Sequence, residues 1–169
     1  MKKLKAIYYV IYSAVILGGI GLDQLSKFLA VKLLAPIESV PLWEGILHLT
    51  YVENKGAAFG MLADHRWVFM SISSVAIIAI ALYLYSGKNA SKLFTSALML
   101  IVSGGIGNMI DRIALGYVVD FIDFALIDFA VFNVADSLVC IGAGLLVLSL
   151  VLDIIKEAKI EKAKKASKK

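Results

Sequence analysis

The chain has 169 residues, 60% of them hydrophobic, and a formal net charge of +4. A soluble domain holds roughly 45–50% apolar residues even when glycine is counted, so this composition argues against a water-soluble enzyme. A single cysteine, Cys140, excludes an internal disulfide or a thiolate metal cluster, and the small positive balance sits in lysine clusters that suit anionic lipid better than nucleic acid.

Four apolar stretches follow in chain order, at residues 7–30, 67–86, 93–110 and 129–152. At about 1.5 Å rise per residue each reaches across a hydrocarbon core of about 30 Å, so an all-α integral membrane protein with four transmembrane helices is expected. Asp23 and Lys27 in the first stretch and Asp136 in the fourth are the only formal charges inside these runs, and Pro36 and Pro41 fall outside them. The first 21 residues have the basic start and apolar middle of a secretory signal. No small-x-small cleavage site precedes Asp23 and Gln24, however, and the apolar run resumes to Ala30, so an uncleaved first span is expected. Most of the 17 basic residues flank the spans on one side: Lys2, Lys3 and Lys5; Lys88 and Lys92; and seven lysines after residue 155. The excess of positive charge on cytoplasmic loops then places both termini in the cytoplasm. Residues 1–155 read as one four-span membrane domain and residues 156–169 as a basic cytoplasmic tail, helical or frayed. Mid-span Cys140 reads as a small packing residue.

Two segments face outward, residues 31–66 and 111–133. Leu47, Leu49 and Tyr51 alternate with His48, Thr50 and Val52, as in a half-buried strand, and residues 118–124 alternate again. A small β-sheet on the outer face is expected, because an open sheet edge deeper in lipid would leave backbone groups unpaired. Residues 56–62 suit a short amphipathic helix in the interface, with Phe59, Met61 and Leu62 toward lipid. His48 and His65 lack metal-ligand spacing.

The acids carry the functional signal. Asp23, Asp111, Asp120 and Asp136 all fall at the outward end of spans, where a carboxylate beside hydrocarbon is costly to keep. Asn108 and Asp111 share a helix face, as do Asn133 and Asp136. Ser103, Gly104, Gly105 and Gly107 in the third span, and Gly18, Gly19 and Gly21 in the first, favour close helix approach that would gather these ends. Each acid also has a plainer reading. Asp136 is a helix-start residue behind an Asn133 cap; Asp120 alone is a solvated acid; Asp111 pairs with Arg112; Asp23 pairs with Lys27. With no serine triad, phosphate loop or cysteine pattern in view, the available chemistry is that of two carboxyls held close, one keeping a proton, which together activate water against an amide.

Five blocks then match a family. Asp23-Gln-Leu-Ser-Lys27, Asn54-Lys-Gly-Ala-Ala-Phe-Gly60, Gly104-Gly-Ile-Gly-Asn-Met-Ile-Asp-Arg112, Val119-Asp-Phe121 and Phe132-Asn-Val-Ala-Asp136 together resemble the bacterial lipoprotein signal peptidases, signal peptidase II. The resemblance implies an aspartic endopeptidase of the bacterial cytoplasmic membrane, its active site near the outer face. It would remove the signal peptide from diacylglyceryl-modified prolipoproteins just before the lipidated cysteine. It singles out Asp120 and Asp136 as the catalytic pair, which the residues alone do not. It also implies supporting or substrate-holding roles for Asp23, Asn54, Gly56, Phe59, Asn108, Asp111, Arg112 and Asn133. No cofactor, metal or nucleic acid is implied; prolipoprotein and membrane lipid are the expected partners of a monomer. Asp123 and Asp128 add negative charge that is expected to raise the pair's apparent pKa. The rival classes are a small proton-coupled transporter, which the one-sided acids disfavour, and a membrane scaffold, which has no use for so many acids.

Overall fold

Proline-free apolar runs form the helices. The structure, a computed structural model, describes residues 2–56, 66–87 and 90–166. Among these are helices α1 (Lys2–Leu33), α2 (Arg66–Tyr85), α3 (Lys92–Ala114) and α4 (Val134–Ala166), with strands β1 (Ser39–Trp43), β2 (Leu47–Asn54) and β3 (Val118–Asp123). Three helical segments are long and apolar enough to cross a membrane: Ala6–Leu33, Lys92–Ala114 and Val134–Ala166. Met70–Tyr85 of α2 is apolar but shorter. Large apolar side chains such as Val10, Leu17, Phe28, Val75, Leu82, Val147 and Ile154 stand exposed along α1, α2 and α4, far more apolar surface than a soluble monomer leaves uncovered. The expected amphipathic segment and Phe59 lie outside the described residues, apart from Gly56.

Helix α3 is the axis of the bundle. Its Leu98, Met99 and Val102 form a buried cluster with Ile16 of α1 and Leu84 of α2. Its small residues meet three helices rather than one. A Cβ at Gly104 would strike the Ala135 carbonyl of α4; one at Gly105 would meet Ile77 of α2 at 2.9 Å; one at Gly107 would meet the Asp23 carboxylate of α1 at 2.5 Å. Close approach in α1 belongs to Gly19 alone, opposite Ser103, whereas Gly18 and Gly21 face open space, contrary to the expectation from their spacing. Gly104 and Gly107, three apart, share the side where both would meet Ala135 of α4, whereas Gly105 lies out of that row and faces α2.

The sheet has the order β1-β2-β3, antiparallel throughout. β2 and β3 match the expected alternation; β1 does not, because Pro41 masks it in the sequence, and as an edge strand it tolerates a proline. Gly45, at φ +71, makes the turn between β1 and β2. Gly116, at φ +86, ends α3 as its N–H returns to the Asp111 carbonyl, and β3 begins two residues later. Val119 and Phe121 of β3 pack with Ala30 and Leu34 at the end of α1. The strand period then turns Asp120 to the opposite face. Helix α4 starts at Val134, five residues later than the apolar run suggests, because Phe132 bridges to Ile122 of β3 and Asn133 caps the helix. The helix continues without a break into the lysine-rich tail.

Gly104→Ala is expected to lower the thermal unfolding midpoint in detergent, as overpacking against a backbone atom costs about 1–3 kcal/mol. Gly18→Ala, with nothing within 4 Å, should leave the midpoint unchanged or slightly raised. Equal midpoints for the two variants would contradict this packing.

Candidate active site

The first turn of α4 is where the chain's polar groups converge. Asn133 caps it: its Oδ1 accepts the Asp136 N–H at 2.8 Å, while the Asp136 carboxylate accepts the Asn133 N–H at 3.2 Å. Such reciprocal capping satisfies two helix-start donors at once. A third, the Ala135 N–H, goes to Asp23 Oδ1 of α1 at 2.9 Å. Two carboxylates thus sit at the positive end of the helix dipole, where negative charge is favoured. The capping role foreseen for Asp136 is present, and it leaves Asp136 Oδ1 free to receive the side chain of Asn108, whose Nδ2 donates at 2.7 Å.

Asp120 reaches the same place from the sheet. Only 1% of it is exposed, so it is not the solvated acid its loop-like sequence suggests. Asn133 Nδ2 donates to its Oδ1 at 2.6 Å and Asn54 Nδ2 to its Oδ2 at 2.9 Å. Asn133 therefore touches both acids, Asp136 through its backbone and Asp120 through its side chain. Burial pushes the Asp120 carboxyl up to about 6; the Asp136 charge adds to the rise, and the donors Asn54 and Asn133 and the charge of Lys27 oppose it. Asp123, on the same strand, accepts a hydrogen bond from Thr50 at 2.8 Å.

Both acids line one cavity of about 480 Å³. Asn54, Asn108, Arg112 and Ser137 add to its polar side; Phe129, Val131, Phe132, Val139 and Ile141 supply an apolar wall. Among the described residues Arg112 makes long contacts, to the Asn108 and Gly56 carbonyls at 3.4 and 3.5 Å. It does not pair with its neighbour Asp111 as expected, because consecutive helical residues diverge by about 100°. Asp111 turns instead to Lys27, 3.0 Å away, and its Oδ2 also accepts the Val119 N–H at 3.1 Å, anchoring β3 to α3. Lys27 bonds Asp23 at 2.9 Å as their i, i+4 spacing suggests, but Asp111 and Asn108 are further partners that this spacing does not reveal. Gln24 joins the group by donating to Asp111 Oδ1 at 2.9 Å. The one sequence signal for Lys27 was its cation inside an apolar run, which obliges it to find acidic partners.

Among the described residues no three His, Cys, Asp or Glu side chains converge as a metal site would require. What the cavity offers is two carboxyls at different distances from solvent, each held by amide donors and facing an apolar wall. Such a pair can carry a proton on one member and a charge on the other.

Because the Asn54 hydrogen bond favours the ionised form of Asp120, Asn54→Leu should move its titration above about 6. Carboxyl ¹³C shifts across pH 4–9 read this directly, and a midpoint unchanged or lowered would contradict the assigned contact.

Comparison with known proteins agrees along the chain. The model of the family described as signal peptidase (SPase) II matches residues 15–152. A lipoprotein signal peptidase of Halalkalibacterium halodurans is 43% identical over 162 residues, covering 95% of this chain and 99% of that one. One from Caldanaerobacter subterraneus is 48% identical over 125 residues, 74% of this chain and 85% of that one. Two solved structures described as bacterial membrane enzymes superpose with TM-scores of 0.76 and 0.72. They are 29% and 31% identical, and cover 85% and 83% of this chain and 89% and 92% of their own. A family match across most of the sequence, and relatives aligned over most of their own length, make this chain a member of the signal peptidase II family, a protease carried on apolar membrane helices.

Proposed function

We propose that the chain removes the signal peptide from diacylglyceryl-modified prolipoproteins by water activated between Asp120 and Asp136. The observation that carries the reading is one cavity lined by both carboxyls, each oriented by asparagine amides, beside an apolar wall. One carboxylate takes a proton from water as the oxygen attacks the carbonyl carbon before the lipidated cysteine. The protonated partner hydrogen-bonds the carbonyl oxygen, then passes its proton to the departing amine as the C–N bond breaks. The pair acts as one coupled unit, and no covalent enzyme intermediate is needed. Asn54, Asn108 and Asn133 hold the carboxyls in place, Asp23 and Asp111 brace the elements that bear them, and Arg112 and Gly56 border the peptide's path.

The same reading extends to topology. With 20 residues, α2 reaches about 30 Å at 1.5 Å per residue and serves as the fourth span. Both termini then lie in the cytoplasm of a bacterial cell and the sheet rests on the outer face of its inner membrane, where acyl chains would hold the scissile bond level with the acids. The domain ends near residue 155, and the basic extension of α4 contacts anionic headgroups. The enzyme works as a monomer.

Incubating the purified protein with a lipidated prolipoprotein should produce the mobility shift of signal-peptide loss. Asp120→Asn and Asp136→Asn should each lower the rate by about 10²- to 10⁴-fold or more while keeping the wild-type unfolding midpoint. Full activity of either variant removes that residue from the mechanism.

A further inference from the structure

Three asparagines donate to the two acids, and each must present its nitrogen rather than its oxygen, since an amide oxygen facing a carboxylate is repelled. For two of them the backbone sets the orientation. The Gly56 N–H occupies Asn54 Oδ1 at 3.0 Å, so Asn54 Nδ2 faces Asp120. The Asp136 N–H occupies Asn133 Oδ1 at 2.8 Å, so Asn133 Nδ2 also faces Asp120. Asn108 is held by a side chain instead: Lys27 Nζ donates to its Oδ1 at 2.9 Å, which turns its Nδ2 toward Asp136. Asn133 Nδ2 also reaches Asn108 Oδ1, at 3.1 Å, but its two protons are divided among Asp120, Asn108 and the Val119 carbonyl, with the shortest bond going to Asp120.

The ammonium of Lys27 has three protons and no lone pair, and Asp23, Asp111 and Asn108 take all three. Lys27 is 3% exposed. Water therefore cannot substitute for any of the three partners. Pairing with Asp23 and Asp111 alone would leave a proton unsatisfied in an apolar setting, so the bond to Asn108 completes both groups.

We propose that Lys27 is a positioning residue for hydrolysis, fixing the Asn108 amide so that its N–H₂ faces Asp136. This deepens the proposed function and rests on Asp136 belonging to the reacting pair. Lys27 touches neither acid of the pair; beside the through-space effect of its charge, its hydrogen-bonded link to them runs through Asn108. Without the ammonium, Asn108 turns between two amide orientations, one of which repels the charge that Asp136 must carry.

The test is the kinetics of prolipoprotein cleavage in detergent by Lys27→Met, Asn108→Ala and the double variant, each compared with wild type. Lys27→Met should lower kcat about 10- to 100-fold, the scale of losing one oriented charge-assisted donor, with KM within about threefold. The double variant should be no more than about threefold slower than Asn108→Ala, because both changes remove the same interaction. Lys27→Met/Asp111→Asn removes one charge of each sign and keeps an acceptor for the Val119 N–H. It serves where Lys27→Met alone unfolds, and it should stay as slow as Lys27→Met. The proposal is overturned by kcat within threefold of wild type in Lys27→Met, by losses that multiply in the double variant, or by recovery when Asp111→Asn restores the charge balance. An inactive Asp136→Asn beside a fully active Lys27→Met would overturn this inference alone. An active Asp136→Asn would overturn the dyad and the positioning role together.

Discussion

A carboxylate withdrawn from water must find its hydrogen-bond donors inside the protein, and that requirement organises the end of this bundle where the sheet lies. Asp23, Asp111 and Asp120 are buried there, and Asp136 is partly so. Their donors come from every neighbouring element: a lysine of α1, an asparagine of α3, an asparagine of β2 and the opening turn of α4. Several of these groups tie two elements together as they satisfy an acid: Lys27 also reaches Asp111 of α3, and the α4 turn reaches Asp120 of β3 and Asp23 of α1. The polar cluster is therefore both the candidate chemistry and the clamp that sets helix against sheet.

The cluster divides into two layers. Lys27, Asp23, Asp111 and Gln24 form an ionic layer that joins α1 to α3 and, through Ala135 and Val119, to α4 and β3. Above it, three amides carry that order to Asp120 and Asp136. Buried ion pairs of this kind add little net stability, because desolvation offsets their attraction; what they supply is a defined geometry. The free edge of β3 is closed by the same groups: Asp111 takes the Val119 N–H, Asn133 reaches the Val119 carbonyl, and Phe132 pairs with Ile122. An exposed strand edge is a ready template for unwanted pairing, so the side chains that hold the acids also protect the edge.

Close packing makes this possible. Gly104 and Gly107 on α3 let the α4 backbone and the Asp23 carboxylate approach within side-chain contact, while Gly105 admits α2 on another side. With Leu98, Met99 and Val102 filling the centre, α3 is the element against which the others are set. The acids are gathered because helices meet along α3, and they stay apart from bulk water because the sheet packs over the end of α1.

Much of the architecture was legible in the sequence, since long apolar runs and alternation in β2 and β3 are local patterns that need no partner. The motif blocks were equally plain, and with them the polar residues of the site. The proline-bearing edge strand β1, the late start of α4 and the three-way use of the α3 glycines were not, because each depends on what lies across from it. The same limit governed the acids. Sequence alone determined that several carboxylates and a lysine lie at one end of apolar helices. Which of them share a cavity, and that Lys27 divides its protons among Asp23, Asp111 and Asn108, was decided only in three dimensions. A hydrogen bond belongs to two groups, and here Lys27 and Asn108 lie 81 positions apart in the chain, Asp23 and Ala135 112.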